Sequence, residues 1–130
     1  MRMRMVTLGV LACSGYAPLL LAQDAVKVDA RHYTVVSENA QVRILRVHYG
    51  PHEKSVMHSH PATVAVFLSD AKGKFTFPDG KSTDFTVKAG ESMYSPAGRH
   101  LPENTNDQAF DVIVVELKGK SAKAAKAADK

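Results

Sequence analysis

The chain has 130 residues, 45% of them hydrophobic, with 17 Lys and Arg against 13 Asp and Glu and a formal net charge of +4. That length favours one domain around one core, and the ordinary apolar content argues against a fibrous or disordered chain. The positive charge sits at the two ends. Residues 23–117 hold 10 basic and 12 acidic residues, so the body lacks the basic surplus that a nucleic-acid footprint requires.

The chain opens with "MRMRM", which sets Arg2 and Arg4 before an apolar stretch from Val6 to Leu21. A basic start, an apolar run and a small residue before a polar one describe a secretory signal over residues 1–22, cut after Ala22. Gly15 and Pro18 disfavour a retained spanning helix, which needs about 20 apolar residues. A lipoprotein processed at Cys13 ranks second. The expectation is a periplasmic or secreted protein with no membrane contact after cleavage. Cys13 is the only cysteine. A cut after Ala22 would leave none, excluding disulfides, thiol nucleophiles and thiolate metal sites.

Residues 23–41 read as an entry arm with one strand, "HYTVVSE". Residues 42–117 read as a β body without a helical period. "VRILRVHYG" alternates, with Val42 and Ile44 facing inward. "TVAVFLSD" is apolar and β-branched. "KFTFPDGKSTDFTVKAG" is a hairpin: Phe75 and Phe77 alternate on one arm, Phe85 and Val87 on the other, with turn chemistry between. "ESMYSP" is a short strand that Pro96 ends, and "FDVIVVELK" is a strong last strand. Short strands at close spacing point to a sandwich or barrel. Residues 118–130, rich in Lys and Ala, read as a flexible solvated tail.

Six histidines punctuate the arm and the body. His32 and His48 have no motif around them and read as structural or exposed. His58 and His60 stand two apart, so on a strand they share a face. Two neutral imidazoles can take adjacent positions on one ion, and such ligands suit Fe, Mn, Ni, Cu or Zn. The pair alone is a weak signal, since two half-exposed side chains on an edge strand look the same.

A second stretch, "GESMYSPAGRHLPEN", sharpens the reading. With Gly50, His58, His60 and Gly73 before it, and with Gly90, Pro96, Gly98, His100 and Asn104 within it, the sequence resembles the cupin superfamily over about residues 42–117. Three departures stand out. Seven residues separate Gly50 from His58, where the family pattern has five. Only Arg99 separates Gly98 from His100, where two residues are usual. The family's glutamate is absent, its positions reading Val64, Ala65 and Val66.

The resemblance implies an all-β fold, a single double-stranded β-helix or jelly-roll barrel. It implies a divalent first-row metal held by His58, His60 and His100. Three neutral imidazoles leave more charge on an ion than a set that includes a carboxylate, making it the stronger Lewis acid. Thiol and β-diketone dioxygenases similar to this pattern use three histidines and iron. The resemblance also implies a homodimer and a small-molecule ligand or substrate. His52, in the loop before the metal strand, is a candidate fourth ligand or supporting group. Glu53 and Glu103 are weaker candidates, read as exposed loop carboxylates. Val64, Val66, Phe75, Phe77 and Met93 are the expected pocket lining. Tyr94 and Arg99 are candidate substrate contacts, Met57 packs, and Asn104 pins the strand after the turn. No acid–base pair with clear spacing and no serine elbow is visible. The expected function is an exported metal-binding cupin, an oxygenase or isomerase. The alternatives are a non-catalytic binder, or a degenerate cupin with a structural or partner-binding role.

Overall fold

The computed structural model describes residues 23–119. The expected signal over residues 1–22 and most of the Lys/Ala tail lie outside them. A four-residue helix, α1 (Ala25–Val28), precedes nine strands: β1 (Tyr33–Glu38), β2 (Val42–Tyr49), β3 (His58–His60), β4 (Thr63–Phe67), β5 (Ala71–Thr76), β6 (Ser82–Val87), β7 (Ser92–Ser95), β8 (Gly98–Asn104) and β9 (Phe110–Leu117). They form two antiparallel sheets, ordered β1-β2-β9-β4-β7 and β3-β8-β5-β6. This non-sequential order is the double-stranded β-helix expected from the sequence. The arm contributes β1 to the larger sheet, against β2, with a register shift between Val35 and Ser37.

Period two decides what enters the barrel. From β9, Phe110, Val112, Val114 and Glu116 face the interior, and from β2 Leu45, Val47 and Tyr49 do. Val42 and Ile44 are therefore not the inward pair. The β2–β9 register sets Leu45 against Val114, Val47 against Val112 and Arg43 against Glu116. The same correction applies to β4, where Thr63, Ala65 and Phe67 line the interior in place of Val64 and Val66. Phe77 also leaves the predicted lining. β5 ends at Thr76, and Phe77 sits in the turn, its amide bonded to the Lys81 carbonyl.

The core is Leu45, Val47, Tyr49, Phe67, Ala71, Val87, Phe110 and Val112, closed at one end by Ala25 and Tyr33. Phe85 and Phe75 stack at 4.7 Å. Phe85 reaches that position over Gly73, where an added Cβ would lie 2.4 Å from its ring and 2.5 Å from the Glu103 carbonyl. Gly73 is thus the notch through which two strands and an aromatic ring meet.

The arm is held by buried polar contacts. Asp24 caps α1 by accepting the Val26 amide at 2.9 Å. His32 lies between two carboxylates, Nδ1 2.7 Å from Asp29 and Nε2 3.0 Å from Glu53, and stacks on Tyr49 at 4.4 Å. The Ser55 hydroxyl donates to Asp29 at 2.6 Å. His32 is the buried structural residue that a histidine without a motif usually is. His48 is exposed beside Asp111.

Candidate functional site

The short strand β3 pairs with β8 in the register His58↔His100, Ser59↔Arg99 and His60↔Gly98. With only Arg99 between Gly98 and His100, His100 stands directly across from His58. His58, His60 and His100 all project inward, where they line one interior cavity of about 90 Å³ with Phe75, Met93 and Pro102. His58 is 1% exposed. The His100 ring lies 4.4 Å from that of His60 and 5.0 Å from that of His58, and stacks on Phe75 at 4.8 Å with an interplanar angle of 1°.

Two of these rings have one nitrogen committed. His58 Nδ1 lies 2.9 Å from the Val56 carbonyl and His60 Nδ1 2.7 Å from that of Pro61. A carbonyl only accepts, so each Nδ1 carries a proton, and the neutral tautomer this selects is the one with its lone pair on Nε2. Burial lowers the His58 pKa, and burial with the two neighbouring imidazoles pushes His100 down to about 3. These two rings are neutral at pH 7, the form in which imidazole coordinates a cation or accepts a hydrogen bond.

The chemistry of this donor set fits a borderline first-row ion. The packing presents the rings against one another instead of as a formed chelate: no group of three or more His, Cys, Asp or Glu among the described residues is arranged to hold a metal.

The other predicted site residues lie elsewhere. His52 is exposed in the β2–β3 loop at a φ of 56°, with Nε2 2.7 Å from Asp107. The loop breaks the strand register that would have carried it to the face of His58. Tyr94 is 63% exposed, because on β7 it shares the outer face with its partner Val64 while Met93 turns inward. Arg99 is turned outward by the alternation that turns His100 inward. Glu53 accepts from the Gly50 amide and from Arg31, contacts His32, and stands outside the barrel. Asn104 is fully buried and donates to the Gly50 and Gln108 carbonyls, pinning the loops as expected.

Sequence reasoning missed Glu116. It is 4% exposed, lines the interior opposite Thr63, and accepts from Arg43 Nε at 2.5 Å. Glu116 is engaged by a guanidinium that also reaches Asp24 at 2.6 Å. The signal was present: Phe110, Val112, Val114 and Glu116 are one period-two row, and the last member is an acid.

No family model and no curated protein matches the chain. Solved structures do. A cupin domain from Bordetella pertussis Tohama I is 25% identical over 67% of this chain and 92% of its own, with a TM-score of 0.62. The chain folds as a cupin. A cupin-family protein with a double-stranded β-helix fold from Methanocaldococcus jannaschii is 18% identical over 74% of this cupin and 89% of its own chain, with a TM-score of 0.55. A DMSP lyase from Ruegeria pomeroyi is 14% identical, covering 71% of this chain and half of its own, with a TM-score of 0.52.

Proposed function

We propose that this cupin binds a small molecule in the barrel, at a first-row divalent metal carried by His58, His60 and His100. The observation that supports the reading is the commitment of two Nδ1 protons to backbone carbonyls. It fixes the tautomer and leaves two Nε2 lone pairs beside the neutral His100 ring. A carbonyl or carboxylate behind a ligating histidine is the usual orienting device. A bound ion would supply Lewis acidity toward an oxygen of the ligand. The chain's residues exclude water with Phe75, Met93 and Phe85 and orient the imidazoles. The cavity of about 90 Å³ holds roughly three waters' volume, so the ligand that enters without rearrangement has only a few heavy atoms. Oxygenase or isomerase chemistry, export guided by residues 1–22, and pairing of two copies belong to the same proposal.

Elemental analysis of tag-free protein tests it. The wild type should carry near-stoichiometric metal and His58→Ala should carry little. Equal metal in both variants would reject the centre. Oxygen uptake with small diketones and thiols then separates an oxygenase from a non-catalytic binder.

A further inference from the structure

A second cavity, of about 630 Å³, lies outside the barrel between the outer face of β3 and β8 and the end of β9. Its walls carry three carboxylates, each already engaged. Asp24 accepts from Arg43 at 2.6 Å and from the Val26 amide, Glu116 accepts from Arg43 at 2.5 Å, and Glu38 accepts from Lys118 at 2.5 Å. Besides His60, which lines both this crevice and the barrel cavity, two groups are not engaged. The Ser59 hydroxyl oxygen is buried without a hydrogen-bond partner, and Arg99 makes no ion pair among the described residues. They are cross-strand partners. Directly opposed residues stand about 5 Å apart and project to the same face, which here is the outer one because the histidines take the inner.

A buried hydroxyl with no partner costs free energy that an acceptor would recover. The guanidinium is a fork of donors suited to a planar carboxylate. The exposed Arg99 therefore asks for an acceptor, and the Ser59 oxygen, buried in this rotamer, reaches the same acceptor by rotation about its Cα–Cβ bond. The remaining wall includes Pro61, Ala97 and Leu117, which asks for an apolar body. Arg43 serves two carboxylates, so that end of the cavity carries a surplus negative charge and disfavours a dianion.

We propose that this outer crevice binds a small monocarboxylate, its carboxylate on Arg99 and Ser59 and its apolar body against Pro61, Ala97 and Leu117. The site opens on the outer side of the barrel wall, which it shares with the inner cavity through His60 and Glu116, and its own contacts need no metal. The test titrates butyrate into tag-free, chelator-treated full-length protein by calorimetry, with inorganic phosphate as competitor. The expected result is saturable binding, weakened about tenfold or more in Arg99→Gln, as loss of a charge-assisted pair implies, weakened several-fold in Ser59→Ala, and unchanged in His100→Gln. Phosphate should not compete. Four results would each overturn the assignment: no saturation in the wild type, wild-type binding by Arg99→Gln, loss of binding in His100→Gln, or displacement of butyrate by equimolar phosphate.

Discussion

His100 shows how one side chain ties acid stability to the site. Its pKa is held at about 3 by burial and by His60 and His58, against 6.5 for an ordinary histidine, and that of His58 is lowered by burial. Between pH 6.5 and the folded values, the unfolded chain binds protons that the folded chain does not. Stability therefore rises with pH across that window and is lost on acidification, by up to about 1.4 kcal/mol per pH unit for each proton. Metal-free protein should lose thermal stability between pH 6.5 and 5, and His100→Gln should flatten that slope. Lowered carboxylates such as Asp70 act at lower pH, about and below their ordinary value of 3.8, so the two ranges can be told apart. Parallel curves for wild type and variant would show that His100 is not kept neutral by the fold.

At the scale of elements, the arm from Asp24 to Tyr33 does more than add a strand. Asp29 accepts from Ser55, and His32 lies between Asp29 and Glu53, so α1 and β1 are fastened to the loop that leads into β3. The Ser55 oxygen lies 3.5 Å from His58 Nδ1, so the fastening reaches the histidines. Asp29→Ala would leave the His32 nitrogen and the Ser55 hydroxyl without their acceptor. An orphaned buried polar group costs about 1–3 kcal/mol; a matching fall in the urea midpoint is expected, and an unchanged midpoint would show that the fastening is slack.

Some elements were legible in the sequence and others were not, for reasons particular to each. The hairpin of β5 and β6, the turn at Pro96–Gly98 and the strand at Val42–Tyr49 were legible because turn residues and alternation agree. The inward faces of β2 and β4 were not. "TVAVF" is apolar on both faces, so alternation is silent. In β2 the inward row begins with Arg43, a charge that makes sense only beside Glu116, 73 positions away. The histidine set was legible from HxH and the second motif. Its supports, the carbonyls of Val56 and Pro61, belong to no side-chain pattern, and Glu116 was visible only once the inner face of β9 was known.

For the whole molecule, the two inner rows of side chains nearly fill the barrel, while the larger free space lies outside it. The fold thus sets the neutral His58 and His100 and apolar rings within, and a guanidinium beside a hydroxyl without. The Asp24–Arg43–Glu116 chain joins them, since Glu116 lines both spaces.

Asp24 and Gly119 stand on the wall of the same crevice, so the folded core takes in its chain and releases it on one side. A short glycine bridge between those points, with the backbone cut at the exposed Asp79–Gly80 tip, would keep every strand pairing while reversing which half is synthesised first. Such a rewired chain should refold to a similar circular dichroism spectrum. Failure to do so would mean that the connectivity of the chain, and not only the final set of pairings, shapes this barrel.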